Sequence, residues 1–150
     1  MTTIAYRNGI MAADSGGWHG DVGVTGACKL VKGRDGSLYG VTGSAAQCRE
    51  FLEWARYEEA IDRRPKPKPV GEDRSSFQVL WVQNWGTIRP LIRIICHEGV
   101  EEYDMEYFAI GAGDSVAMGA MWAGASAEDA VRAAIAHGSS SFGEVKTIGH

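Results

Sequence analysis

Thr2-Thr3-Ile4-Ala5-Tyr6-Arg7-Asn8-Gly9-Ile10-Met11-Ala12-Ala13-Asp14-Ser15 follows directly on Met1. Its centre is the pair Asn8-Gly9, which favours a two-residue hairpin turn because both central positions need positive φ. Apolar residues alternate on either side, so strands are expected at 2–7 and 10–14. A glycine-rich segment follows, with Gly16, Gly17, Gly20, Gly23 and Gly26, and reads as loop with short extended pieces. Residues 27–32 and 37–42 then flank Gly33-Arg34-Asp35-Gly36, a second hairpin signal.

From residue 45 to about 62 the pattern changes to helical spacing. Phe51, Leu52, Trp54, Ala55 and Tyr57 would share one apolar face, uninterrupted by Gly or Pro. That helix must end before Pro65-Lys66-Pro67-Lys68-Pro69, an extended basic loop or linker. Strands are expected next at 77–82, 87–96 and 99–103, with Pro90 marking an edge, a bulge or a break. A short strand at 107–111 ends in Gly111-Ala112-Gly113. Asp114 then reads as the N-cap of an Ala- and Met-rich helix running to about residue 123. Ser126 opens another helix, whose Glu128 and Asp129 suit the dipole of its first turn and which ends near His137-Gly138. Residues 144–148 form the last strand. Strands are grouped rather than alternating with helices, which predicts an α+β fold with two antiparallel sheets face to face and helices outside.

At 150 residues the chain is expected to form one domain, 1–150. A net charge of -4 argues against a general attraction to nucleic acid or anionic membrane. No apolar run approaches the roughly 20 residues of a membrane helix. The first residues lack the basic-then-apolar layout of a signal peptide. Cys28, Cys48 and Cys96 are odd in number and widely spaced, so they read as reduced, mostly buried thiols in a cytoplasmic protein. His19, His97, His137 and His150 lack metal-ligand spacing. Gly111-Ala112-Gly113 lacks the third glycine of a dinucleotide fingerprint. Trp81, Trp85, Arg89 and Arg93 read as core or interface residues rather than a nucleic-acid platform, given the negative net charge. No metal or organic cofactor is implied.

A threonine at position 2 means little alone, but one made chain-terminal by removal of Met1 contains its own base. The α-amine of a terminal threonine titrates near neutrality beside its own hydroxyl, so it can accept the hydroxyl proton while the oxygen attacks a carbonyl. An acylated nitrogen has no basic lone pair, which makes removal of Met1 a chemical requirement.

The opening hairpin resembles that of proteasome β subunits, and more closely the bacterial proteasome-like peptidase that docks with an ATP-driven unfoldase. Ala27-Cys28-Lys29-Leu30 resembles the catalytic lysine segment of that family, Tyr39-Gly40-Val41-Thr42-Gly43-Ser44-Ala45 its glycine turn before the first helix, and Phe108-Ala109-Ile110-Gly111-Ala112-Gly113 its turn before the later helix pair. These segments occur in the family's order. The resemblance implies a four-layer αββα sandwich of the N-terminal nucleophile hydrolase class. It implies Thr2 as nucleophile, Lys29 beside it lowering the hydroxyl pKa, Asp14 holding Lys29 charged and oriented, and the Gly43 N–H as oxyanion donor. Ser141, in Ala136-His137-Gly138-Ser139-Ser140-Ser141, matches a supporting serine.

The implied activity is threonine-type peptidase action on peptide or unfolded protein, in a homo-oligomeric self-compartmentalised ring, with an ATP-dependent unfoldase as candidate partner. Short versions of this kind resemble phage and prophage sequences. Two positions depart from the pattern: Ala112 stands where the family has a serine, and Gly138 where it has an aspartate. Those departures keep open a catalytically degenerate structural or interaction protein. The nucleophile alone also leaves open a small-amide amidohydrolase of the same fold.

Overall fold

The Asn8-Gly9 turn takes φ of 51° and 82°, as a hairpin of this length requires, and the Gly9 N–H donates to the Tyr6 hydroxyl at 3.1 Å. The structure is a computed structural model that describes residues 2–58, 60–67, 77–83, 90–138 and 140–150. In chain order its elements are β1 (Thr3–Arg7), β2 (Ile10–Ala13), β3 (Gly17–His19), β4 (Val22–Val24), β5 (Leu30–Lys32) and β6 (Leu38–Thr42). They continue with α1 (Ala45–Tyr57), β7 (Gln78–Gln83), β8 (Leu91–Cys96), β9 (Gly99–Tyr103), β10 (Tyr107–Gly111), α2 (Asp114–Trp122), α3 (Ala127–Ala136) and β11 (Lys146–Gly149). Among the described residues the fold is therefore α+β, with three α-helices and three antiparallel sheets.

The sheets run β10-β1-β2-β11, β5-β6-β7-β8-β9 and the small pair β3-β4. Strand alternation divides the apolar residues between separate cores. Ile4, Tyr6 and Met11 from the four-stranded sheet meet Leu38, Leu80, Val82 and Ile92 from the five-stranded one. On the other face of the first sheet, Ala5, Ala12 and Ala109 are small enough to seat α2 and α3, which contribute Ala117, Met121, Ala130 and Val131. On the far face of the second sheet, Tyr39, Val41 and Val79 pack under Phe51, Leu52, Trp54 and Ala55 of α1.

Several boundaries differ from the sequence reading. Helix α1 stops at Tyr57 rather than near residue 62, because the chain turns back so that Ala60 C=O accepts the Trp54 indole N–H at 3.0 Å. Tyr57, expected on the apolar face, is 63% exposed. Gly113 is the N-cap of α2, and Asp114 is its first helical residue, where its charge still suits the dipole. Ser126 caps α3 as expected, accepting the Asp129 N–H at 3.1 Å. The strand expected from residue 27 begins at Leu30, and the last one, expected from residue 144, at Lys146. The cysteines are free but not mostly buried: Cys28 is exposed, and Cys48 and Cys96 are partly so. Residues Met1, Lys68, Pro69, Trp85, Thr87, Arg89 and Ser139 of the sequence reading lie outside the described residues.

Candidate active site

Five strand ends carry the candidate site residues or lie against them. Thr2 precedes β1 and Asp14 follows β2, and Ile4 pairs with Ala13 between them. The Asp14 N–H points to the Thr3 carbonyl at 3.4 Å. Lys29 precedes β5, and its carbonyl accepts the Val41 N–H of β6 at 2.9 Å. Gly43 stands two residues beyond Val41, exposed at the entry to α1, with φ of 110°. The end of β10 closes over Thr2, whose carbonyl accepts the Ala112 N–H at 2.7 Å.

Asp14 and Lys29 form a buried ion pair, the ammonium reaching both carboxylate oxygens at 3.0 Å. Each oxygen also accepts a backbone N–H: Oδ1 from Thr3 at 3.0 Å, Oδ2 from Phe142 at 3.3 Å. Four donors match the acceptor sites of a carboxylate, so its orientation is closely determined. Burial pulls the Lys29 pKa below its ordinary value, and the charge and hydrogen bonds of Asp14 push it back up. With a bidentate grip on Asp14, an ammonium keeps one further N–H to donate.

Ser141, after α3, approaches from the helix side, its Oγ 2.7 Å from Thr3 Oγ1. Asp14, Lys29 and Ser141 are thus joined to one another through Thr3, next to Thr2 in the chain. Sequence reasoning left Thr3 and Phe142 unassigned. Thr3 is fully buried, but along the chain it is only a polar residue opening an apolar strand, and nothing local marks Phe142. Cys48, on the face of α1 toward β5 and β6, is a further neighbour of Lys29, and burial pushes its thiol up to about 11. Among the described residues, no group of three or more His, Cys, Asp or Glu is arranged to hold a metal ion. No helix there is long and apolar enough to cross a membrane.

Solved structures share this fold. Thiobacillus denitrificans BPH is 21% identical, with 98% of this chain and 95% of that chain covered at a TM-score of 0.67. The same protein in complex with epoxomicin is 20% identical, with 98% and 96% covered at a TM-score of 0.68. No protein-family model matches the chain, and no curated protein matches it.

Proposed function

We propose that the chain is a threonine-type peptidase of the N-terminal nucleophile class, acting through Thr2 once Met1 is removed. The observation that carries this reading is the Asp14 carboxylate, which binds the Lys29 ammonium and the amide of Thr3, the residue beside the nucleophile. Support for a four-layer αββα arrangement comes from the order of the cores: helix pair, sheet, sheet, helix.

In this mechanism the Thr2 amine takes the hydroxyl proton as Oγ1 bonds to the peptide carbonyl carbon. Lys29 stabilises the alkoxide that forms, and the Gly43 N–H donates to the oxyanion. The proton passes to the leaving amine as the C–N bond breaks, leaving an ester on Thr2. Water, deprotonated by the same amine, then releases the acid and restores the hydroxyl. Ser141 steadies the strand end through Thr3. Assembly into a ring, with peptide or unfolded protein as substrate, belongs to the same proposal.

Intact mass after incubation with epoxomicin, the compound bound in a neighbour of this fold, tests the reading. Loss of Met1 with one adduct, both adduct and peptide cleavage being abolished in Thr2→Ala, is the expected result. Retained Met1 with no adduct would favour the catalytically silent reading, for which Ala112 is the specific observation. It binds Thr2 through its backbone alone and offers no hydroxyl there. Comparison of peptides with small amides separates the peptidase from an amidohydrolase.

A further inference from the structure

The fourteen residues between Asp14 and Lys29 include the β3-β4 hairpin, so the two partners of the ion pair are joined by this excursion. The hairpin is thinly anchored. Its strands pair only with each other among the described residues, and Trp18 and Val22 are 52% and 62% exposed. A neck closes it, where the Ala27 N–H donates to the Ser15 carbonyl at 2.9 Å.

Across that neck lies Phe142. Its ring is seated on Gly16 so closely that a Cβ there would stand 2.6 Å from ring carbon, and a Cβ on Gly23 would stand 3.2 Å away. Trp18 meets the same ring edge-on at 5.3 Å. The backbone of Phe142 faces the other way and donates to Asp14 Oδ2. Its neighbours pin the same segment: Ser141 to Thr3, and Gly143 so close to Ser15 that a Cβ would lie 2.7 Å from its Oγ.

We propose that Phe142 is a positioning residue for the Asp14–Lys29 pair, its ring seating the β3-β4 hairpin while its amide orients the carboxylate. This rests on the peptidase reading. At 3.3 Å the amide bond to Asp14 has little reach to spare, so a ring that shifts against Gly16 carries the donor out of range. Asp14 then turns, and the ammonium turns with it. Displacements of about 1 Å in a reacting constellation cost up to ~10²-fold in rate. Gly16 has no left-handed backbone to protect, so the ring itself is what bars a side chain there. The two positions should therefore act through one contact.

The test compares Phe142→Ala, Phe142→Leu, Gly16→Ala and the double variant Gly16→Ala/Phe142→Ala. Peptide cleavage is read as separate kcat and KM, and the Asp14 carboxyl by its 13C shift. Phe142→Ala should lower kcat about tenfold with KM little changed, and Phe142→Leu should recover most of it. Gly16→Ala should lower kcat in the wild-type background and do nothing further once the ring is gone. The Asp14 carbon should shift in Phe142→Ala and return in Phe142→Leu. An unchanged kcat and carboxyl shift in Phe142→Ala, a loss confined to KM, or additive effects of the two substitutions would each overturn the proposal. Cleavage that survives Thr2→Ala defeats the peptidase reading instead, and the carboxyl shift then still decides whether Phe142 positions Asp14.

Discussion

A Cβ on Gly111 would stand 2.1 Å from the carbonyl oxygen of Thr2. Gly111 also sits at φ of 98°, and it pairs with Thr3 across the β1-β10 ladder. Glycine here lets the strand end that carries the candidate nucleophile lie against β10. Gly111→Ala therefore combines a left-handed penalty with a backbone clash. It should cost about 3 kcal/mol or more in urea unfolding and remove activity. Wild-type stability in that variant would refute the close approach.

Asp14→Asn and Lys29→Met each leave one member of a buried pair without its counter-charge. Each should lose about 3–5 kcal/mol of stability, and peptide cleavage should fall in both. The double variant should be less destabilised than the sum of the two, since neither charge is then stranded. Additive losses across this cycle would mean that the pair is not coupled.

Activity should follow a bell-shaped pH profile. Its acid limb should report the Thr2 amine freed by loss of Met1, which the proposed mechanism needs neutral; such an amine ordinarily titrates at about 7.7–8.0. Its alkaline limb should report the Lys29 ammonium, which the proposed mechanism needs charged. Burial lowers the Lys29 pKa while Asp14 and Cys48 oppose the change, so the rate should fall on the alkaline side below the ordinary lysine value of 10.5. An alkaline limb that persists in Lys29→Met would assign it to another group.

Cysteine alkylation at pH 8 should discriminate between two thiols near the site. Cys28 is exposed, whereas the Cys48 thiol is partly buried and pushed up to about 11. Iodoacetamide should modify Cys28 first by peptide mass mapping, because the thiolate is the reacting form. Faster labelling of Cys48 would contradict its environment.

Arg7 offers a control far from the chemistry. Its guanidinium donates to the Met121 and Ala125 carbonyls at the end of α2 and lies over the Tyr107 ring at 5.3 Å. Arg7→Ala should cost about 1–3 kcal/mol of stability, because the Ala125 carbonyl loses its donor while Met121 keeps the Gly124 N–H, with kcat unchanged. A large loss of kcat would mean that the α2–α3 turn bears on catalysis.

Elements that depend on neighbours in the chain were legible beforehand. Asn8-Gly9 specified its turn because few other residues tolerate two successive positive φ values, and Ser126 specified the start of α3 because its hydroxyl satisfies an amide three residues on. The end of α1 was not, because it depends on where the Trp54 indole finds an acceptor. Asp14 and Lys29 were named in advance by resemblance, and the tertiary structure brought them together.

Taken alone, the amino-acid order determined the local turns, the periodicities and the residue types able to do the chemistry, since these follow from φ preferences and side-chain pattern. Which groups surround the carboxylate of Asp14 was decided only by folding. Thr3 and Phe142 reach it from 11 residues before and 128 residues beyond. A buried charge must be satisfied by whatever donors the packed sheets and helices deliver, and that requirement has no signature along the chain.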